Sequence, residues 1–295
     1  MGKWIRGGAL ASAIAAAAVG ILALSESGRL LLAEIKRETR LALGLPKKWI
    51  QGFHDNVTVH TPLPCPADPI VIITGGQSNA SNAFDPVIDD THVSGGYTYF
   101  NGQCYGLRSP VLGATGRNDS LWPELGSALF ETTQQPVLFI HGAVGGSQLG
   151  DWLDHRSNYL GRLLERAVAS RAQGFHPDFV LWIQGETDAK AHVEPAEYIG
   201  QMEALMARFE TAGAVAPHTK WVVYRSTRCL ERPNNGAEIE QALTAWADAS
   251  HSDTVISGPR ASSLDDAHRR DGCHLNTRGR DKLVSETMKV MEPHL

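Results

Sequence analysis

Short apolar runs alternate with amphipathic segments through most of the chain. Segments with helical periodicity lie near residues 121–132, 157–173, 195–212, 236–249 and 277–292. The apolar runs, which are candidate strands, cover residues 69–74, 136–141, 178–183, 220–225 and 253–257. A strand followed by a helix, repeated several times, is typical of a parallel sheet with helices on both faces. The pattern therefore predicts an α/β fold.

The segment between the first two candidate strands, residues 75–119, does not follow this repeat. It is rich in Gly, Asp, Asn and Tyr, and it shows no sustained periodicity. We therefore expect it to be irregular. Long insertions at the edge of a sheet commonly shape the substrate site.

An apolar segment precedes the first strand. Residues from Gly7 to Ser25 carry no charge, and Lys3 and Arg6 lie before them. As a helix this segment would be about 28 Å long, enough to cross a bilayer core. A cleaved signal peptide, an uncleaved anchor and a cytoplasmic amphipathic extension all fit it, and its length favours the anchor.

The chain is thereby divided into three parts. Residues 1–44 are predicted to be an N-terminal membrane anchor or signal segment with a helical extension. Residues 45–68 contain four prolines and are predicted to be a linker. Residues 69–295 are predicted to be one catalytic domain, which we expect to be exported, either membrane-anchored or periplasmic or extracellular.

The charge distribution narrows the possible partners, and the cysteine content bears on disulfide pairing. The formal net charge is -5, and acidic and basic residues are interspersed, which argues against nucleic acid as a partner. The 4 cysteines allow three pairings in an exported protein, and four free thiols remain an alternative. If a bridge forms, Cys229 with Cys273 is the preferred pair, because both are expected at one edge of the sheet.

A serine follows the first strand in the pentapeptide from Gly76 to Ala80. A strand that ends in glycines and then presents Ser78 at a helix start aims the hydroxyl out of the sheet edge. A serine nucleophile needs a base and a group that orients the base. Near the C-terminus, Asp271 and His274 have the spacing that lets one tight loop join carboxylate and imidazole. Ser78 could instead serve only as an N-cap.

A second Asp-x-x-His spacing occurs close by. Asp265 and His268 have the same separation, but they lack the Leu-Asn and helix start that follow His274. We therefore assign the base to His274.

Polar residues also follow the second and third candidate strands. Gly145 lies in a glycine pair after the second strand, and Gln184 ends the third. A backbone N–H and a side-chain amide at one sheet edge could bind a developing oxyanion. Gln184 could instead satisfy buried backbone. Glu186 and Asp188 could form the carboxylate pair of a glycosidase, but that reading leaves the serine and histidine unexplained.

Four motifs, GGQSNA, GAVGGS, WIQGETD and DGCHLN, occur in that order. Together they resemble the SGNH-hydrolase superfamily, in its sialate O-acetylesterase-like or carbohydrate acetylesterase branch, over about residues 69–292. The resemblance implies a flavodoxin-like three-layer sandwich with a five-stranded parallel sheet of order 2-1-3-4-5, preceded here by the N-terminal hydrophobic helix. It also implies metal-free hydrolysis of short acyl esters on sugars, without a cofactor.

The resemblance also implies roles for individual residues. Ser78 is similar to the family nucleophile, His274 to its base and Asp271 to its orienting acid. The oxyanion hole would consist of the N–H groups of Ser78 and Gly145 and the Gln184 amide. Trp122 and Trp152 fit either a core position or a position that stacks on a sugar. The candidate substrate-binding residues are Gln77, Asn79, Trp122 and Glu186.

We therefore expect a serine esterase that removes O-acetyl groups from a carbohydrate through an acetyl-enzyme intermediate. Sialic acid, a hemicellulose and an envelope glycan are the candidate carbohydrates. The expected partners are this acetylated substrate and, through the N-terminal helix, a membrane. An O-acetyltransferase of the same fold and a non-catalytic glycan-binding module are the alternatives. No HExxH or Cys-x-x-Cys motif is present, so we expect no metal site.

Overall fold

The computed structural model describes residues 52–88, 91–230, 236–250 and 254–295. The predicted anchor or signal segment and the first part of the predicted linker lie outside these residues. Within the described ranges, no helix combines the length and the apolar character that a membrane crossing requires.

The described residues form one eight-stranded sheet in the order β1-β4-β3-β5-β2-β6-β7-β8. Six neighbouring strands, β3-β5-β2-β6-β7-β8, are parallel to one another. β4 pairs with both β3 and β1 in antiparallel fashion. The strand bounds are β1 Pro62–Leu63, β2 Ile70–Gly76, β3 Gly96–Phe100, β4 Gln103–Gly106, β5 Val137–His141, β6 Phe179–Gly185, β7 Lys220–Ser226 and β8 Val255–Ser257.

The five strands that the sequence predicts are β2, β5, β6, β7 and β8, and they are neighbours in the order β5-β2-β6-β7-β8. The predicted number of strands is wrong, because β1, β3 and β4 extend the sheet on one side. β3 and β4 form a hairpin inside residues 75–119, where the sequence predicts irregular structure. Strands of five and four residues are too short to show a clear alternation of apolar and polar positions.

Helices cover both faces of the sheet. Along β2, Ile70 and Ile72 pack into a core with α1 and α7, while Val71 and Ile73 pack into another core with α3, α5 and α6. This alternation follows from the two-residue period of a strand. The helix bounds are α1 Trp122–Thr133, α2 Leu149–Leu153, α3 Tyr159–Ala172, α4 Glu186–Lys190, α5 Pro195–Thr211, α6 Gly236–Ser250 and α7 Thr277–Met291.

The described part of the predicted linker is built into the domain. β1 pairs with β4 at the edge of the sheet, and a disulfide joins Cys65 to Cys104. The prolines in this segment suit an edge strand, where one side of the backbone needs no ladder partner. Residues 52–68 therefore belong to the folded domain and differ from the linker that the sequence predicts.

Candidate active site

Two glycines end β2 because β6 lies too close for side chains. A Cβ on Gly75 would lie 2.1 Å from the Trp182 ring, and a Cβ on Gly76 would lie 2.0 Å from the Ile183 carbonyl oxygen. Gly76 also has a φ of +118°, which L residues with side chains rarely adopt. The chain therefore leaves the sheet in a sharp turn that brings Ser78 to the carboxyl edge.

Ser78 opens a short 3₁₀ helix, Ser78–Ala80. The N-cap position is Gln77, so Ser78 is not the helix cap that was the alternative reading. The residue is only 7% exposed. The structure thus places a largely buried serine at the end of a central strand, on a tight turn.

Asp271 and His274 form a hydrogen-bonded pair within one loop. His274 Nδ1 donates to Asp271 Oδ2 at 2.7 Å, and the His274 backbone N–H donates to Asp271 Oδ1 at 2.8 Å. Partial burial acts to raise the pKa of Asp271, but the hydrogen bonds from His274 outweigh it and lower that pKa. An ionised Asp271 fixes the proton on Nδ1 and leaves Nε2 as the basic nitrogen.

The side chain of Asn79 ties this loop to the serine turn. Asn79 Nδ2 donates to the Cys273 carbonyl at 3.3 Å, and the Leu275 N–H donates to Asn79 Oδ1 at 3.2 Å. These two peptides flank His274, and Asn79 is the residue after Ser78. The turn that contains Ser78 and the loop that contains His274 are therefore joined through Asn79. No hydrogen bond joins the Ser78 hydroxyl to His274 in the described part of the chain.

The rival pair is also hydrogen-bonded. His268 Nδ1 donates to Asp265 Oδ1 at 2.6 Å. Its backbone, however, is joined to the start of α7, where the Asn276 N–H donates to the His268 carbonyl at 3.0 Å. Asn79 thus binds the peptides beside His274, whereas His268 is held by the α7 start.

Gly145 lies next to Ser78, but its N–H is engaged. A Cβ built on Gly145 would lie 3.7 Å from Ser78 Cβ, so the two backbones are close. The Gly145 N–H donates to Thr115 Oγ1 at 2.8 Å. Sequence reasoning assigned no individual role to Thr115, which lies in residues 113–122, a stretch that resembles a substrate-side loop of the family.

Gln184 is fully buried. Its Nε2 donates to the Ser147 carbonyl at 2.7 Å and to Asp188 Oδ2 at 2.9 Å. Both amide protons therefore have good acceptors within the protein. In this structure Gln184 supports the loop that contains Gly145, and its amide does not reach the surface of the site.

Gln77, a predicted substrate-binding residue, is also buried. Its Oε1 accepts from the backbone N–H of Thr187 at 3.1 Å and lies 3.3 Å from Gln184 Nε2. Gln77 therefore joins the turn after β2 to the turn after β6.

Glu186, also predicted to bind substrate, lies in the same buried layer. Its Oε1 accepts from Asn79 Nδ2 at 2.6 Å and from Ser226 Oγ at 2.8 Å. Burial raises the pKa of Glu186 to about 7, although the hydrogen bonds from Asn79 and Ser226 act to lower it. Ser226, at the end of β7, was missed by the sequence reasoning, although the rule that strand ends meet at one edge points to it.

Both tryptophans take the core alternative. Trp122 is fully buried against Phe139 and His141, and its Nε1 donates to the Ala80 carbonyl at 2.8 Å. Trp152 is buried against Trp182. The predicted contact of Trp122 with substrate is therefore replaced by a contact that supports the helix containing Ser78.

A disulfide joins Cys229 to Cys273, the pair that the sequence favours. Arg269, another residue missed by sequence reasoning, is buried in the same loop. Its guanidinium donates to the carbonyls of Leu264, Ala261 and Cys273. The residue before His274 is thus held both covalently and by hydrogen bonds.

A cavity of about 540 Å³ lies elsewhere, between the β3–β4 turn and α3. Its lining includes Tyr99, Arg162 and Arg166, but neither Ser78 nor His274. The candidate site with Ser78, Asp271 and His274 is therefore separate from the lining of this cavity. Among the residues that the structure describes, no group of three or more His, Cys, Asp or Glu side chains is placed to hold a metal ion.

A family model described as carbohydrate esterase, sialic acid-specific acetylesterase, matches residues 124–291. This range includes Gly145, Gln184, Asp271 and His274, and Ser78 lies before it. No curated protein matches the chain.

Three solved structures show the same fold at low sequence identity. A protein from Arabidopsis thaliana has a TM-score of 0.61 and 17% identity, and the match covers 77% of this chain and 100% of that chain. NanS has a TM-score of 0.53 and 14% identity, with 79% and 98% covered. A carbohydrate acetylesterase from Xanthomonas citri has a TM-score of 0.50 and 15% identity, with 76% and 57% covered.

Proposed function

Because the chain belongs to the sialic acid-specific acetylesterase family of carbohydrate esterases, and is therefore a carboxylic ester hydrolase, we propose that it removes O-acetyl groups from a carbohydrate through an acetyl-serine intermediate. One observation supports this mechanism above the others. The residue after Ser78, Asn79, binds both peptides beside His274, and His274 is paired with Asp271. These contacts support an arrangement in which Ser78, its base His274 and the orienting carboxylate Asp271 act together.

In the first half of the reaction, Ser78 Oγ attacks the acetyl carbonyl carbon while His274 Nε2 takes the hydroxyl proton. The tetrahedral intermediate then breaks its bond to the sugar oxygen. His274 returns the proton to that oxygen, so the sugar leaves as an alcohol and the acetyl group remains on Ser78. Asp271 stabilises the imidazolium that forms between these steps.

In the second half, a water molecule attacks the acetyl-serine. His274 Nε2 takes one proton of the water, and the second tetrahedral intermediate releases acetic acid and the Ser78 hydroxyl. The sum is one ester and one water converted to one alcohol and one acetic acid. The same base thus serves both halves, as in other serine esterases.

The oxyanion of both intermediates would lie beside the Ser78 and Gly145 backbones. The Ser78 N–H and the Thr115–Gly145 pair are the donors that fit this position. Gln184 supports this arrangement indirectly, because it donates to the Ser147 carbonyl in the loop that contains Gly145. This supporting role differs from the direct role that the sequence predicts, in which the Gln184 amide donates to the oxyanion. The substitution Gln184→Ala distinguishes the two roles.

For the carbohydrate, we propose the O-acetylated sialic acid that the family description names. Acetylated hemicellulose and acetylated envelope glycans are the competing substrates. Export from the cytoplasm is proposed as well, with support from two disulfides, Cys65–Cys104 and Cys229–Cys273, since disulfides persist mainly in oxidising compartments.

The test is acetate release by the full chain from O-acetylated sialic acid, acetylated xylan and an acetylated envelope glycan. We expect turnover of at least one of them that is lost in Ser78→Ala. An organophosphonate should label the protein on Ser78 and leave Ser78→Ala unlabelled, as peptide mapping would show. Turnover that persists in Ser78→Ala would refute the mechanism. Acetyl transfer to an added glycan in preference to water would identify a transferase.

A further inference from the structure

The buried carboxylate of Glu186 lies at the centre of a hydrogen-bonded chain that ends on both sides of His274. Glu186 opens α4 after β6, and its side chain is 1% exposed. A group so buried presents almost no surface to a substrate in this structure. Its contacts therefore indicate a role that is exerted through other residues.

The first link in this chain is Asn79. The side-chain amide of Asn79 contacts three groups. Its Nδ2 donates to Glu186 Oε1 at 2.6 Å and to the Cys273 carbonyl at 3.3 Å, and its Oδ1 accepts from the Leu275 N–H at 3.2 Å. Two acceptors beside Nδ2 and one donor beside Oδ1 determine which way the amide points. Without the carboxylate, one of the two acceptors that fix Nδ2 would be missing.

The second link anchors the carboxylate itself. Ser226 Oγ, at the end of β7, donates to the same Glu186 Oε1 at 2.8 Å. Glu186 is therefore fixed between two central strands and the serine turn. The loop of residues 269–276, which contains Asp271 and His274 and is called the catalytic loop below, consists by contrast mainly of bends and depends on such anchors for its position.

We propose that Glu186 is a positioning residue for His274: through Asn79 it holds the peptides of Cys273 and Leu275, and so sets where the imidazole lies relative to Ser78. The kinetic consequences of this inference rest on the proposed function. Its structural consequence, a changed position of the His274 ring in Glu186 variants, does not depend on that function. Misplacement of a base by about 1 Å costs up to about 100-fold in rate, so the kinetic effect should be easy to measure.

The kinetic test compares Glu186→Ala with Glu186→Gln in the full chain. Glu186→Ala should lower kcat by about 10- to 100-fold with little change in KM, because ground-state contacts with substrate are untouched. Glu186→Gln keeps an acceptor oxygen for Asn79 and Ser226 and should restore most of the loss. A folded Glu186→Ala protein with the wild-type kcat would overturn the proposal.

A double-mutant cycle tests the route through Asn79. Asn79→Ala should lower kcat about as much as Glu186→Ala, and the double variant should lose little more, because the two residues act on one loop as a unit. Asn79→Ala also keeps the test valid if Glu186→Ala does not fold. Losses that multiply in the double variant would show independent roles and contradict the inference.

A spectroscopic test separates this proposal from the proposed function. In protein labelled with ¹⁵N-histidine, the ring signals of His274 can be assigned from the signal that His274→Gln removes. Glu186→Ala should shift or broaden them, even if esterase activity proves absent. An unchanged His274 signal in that variant would overturn the positioning role, whereas activity that survives Ser78→Ala would overturn only the esterase mechanism.

Glu240→Ala is the matched control. Glu240, on α6, is also a buried carboxylate, and it accepts from Thr227 Oγ1 at 2.6 Å and from Arg260 Nε at 2.6 Å. Within the described residues no hydrogen bond joins it to Asn79. We expect a loss of stability without a change in kcat or in the His274 signals. If Glu240→Ala reproduced the kinetic and spectroscopic effects of Glu186→Ala, those effects would be general consequences of losing a buried carboxylate.

Discussion

Gly145 donates its backbone N–H to the hydroxyl oxygen of Thr115 at 2.8 Å, directly beside Ser78. The N–H that the sequence assigns to the oxyanion hole therefore already has an acceptor. Since Thr115 Oγ1 accepts this bond, its own proton is left to be donated elsewhere. We therefore expect the pair to act as a relay, in which the Thr115 hydroxyl, polarised by the Gly145 N–H, is the donor to the oxyanion.

Thr115→Val tests this relay, because it removes the hydroxyl and nearly keeps the shape of the side chain. We expect kcat to fall by about 10- to 100-fold with KM little changed, as for the loss of an oxyanion donor. Thr115→Ser should retain activity. If the threonine hydroxyl merely blocks Gly145, Thr115→Val would have an unchanged or higher kcat, and the assignment of Thr115 would be wrong.

The two Asp-x-x-His pairs give a second prediction. His274→Ala should lower kcat by at least about 10³-fold, because it removes the base, whereas His268→Ala should leave kcat unchanged. Asp271→Asn should retain more activity than His274→Ala, since it removes only the orienting charge. Equal losses in His268→Ala and His274→Ala would mean that the choice between the pairs is mistaken.

The sequence predicts long elements well and short ones poorly. β2, β5 and β6 are continuous apolar runs, and helices such as α5 and α7 span enough turns to show their period. The β3–β4 hairpin is short and lies among glycines and polar residues. Its strands take their stability from pairing and from buried Tyr99 and Phe100, and such long-range contacts leave no local pattern.

The same distinction holds at the site. The Asp271–His274 contact lies within one loop and could be read from spacing alone. The contact of Asn79 with Glu186 joins residues that are 107 positions apart, and whether such a side chain faces substrate or the protein interior depends on how two turns pack. For this reason the sequence identified Gln77, Asn79 and Glu186 as members of the site but predicted that they bind substrate. In the structure they hold other residues of the site in place.

Gln184 provides a third prediction, because its two possible roles differ in their effect on stability. Gln184→Ala removes the donor to Ser147 and Asp188, which leaves two buried acceptors unsatisfied. We expect the free energy of unfolding to fall by roughly 1–3 kcal/mol for each group, together with a lower kcat. Urea denaturation measures the first and steady-state kinetics the second. A lower kcat at unchanged stability would instead indicate a direct oxyanion donor.

The fourth prediction concerns pH. Burial raises the pKa of Glu186 from 4.5 to about 7. The folded state therefore binds the Glu186 proton more tightly than the unfolded state does. The contribution of protonated Glu186 to the free energy of unfolding is fully present below about pH 4.5, and it is lost as the pH rises through about 7. Glu186→Gln cannot titrate at this position.

The stability of Glu186→Gln should thus improve relative to the wild type as the pH rises from 5 to 8. The shift in pKa corresponds to at most about 3 kcal/mol. Urea denaturation of both proteins at several pH values gives the difference directly. The pKa of Asp188 is also raised by burial, to about 6, but that group is present in both proteins and cancels. A stability difference independent of pH would show that Glu186 remains ionised throughout.

The last prediction separates the two disulfides by function. Cys229–Cys273 ends at the residue before His274, whereas Cys65–Cys104 joins the β1 segment to β4 at the far edge of the sheet. Both close loops of similar length, with sequence separations of 44 and 39 residues, so chain entropy alone predicts similar losses of stability, about 2–4 kcal/mol each. The paired variants Cys229→Ala with Cys273→Ala, and Cys65→Ala with Cys104→Ala, should therefore have similar Tm values.

Only the loss of Cys229–Cys273 should also lower kcat at a temperature where both paired variants are folded, because it frees the Cys273 peptide that Asn79 and Arg269 bind beside the base. Equal kcat in the two paired variants would mean that hydrogen bonds alone position the catalytic loop.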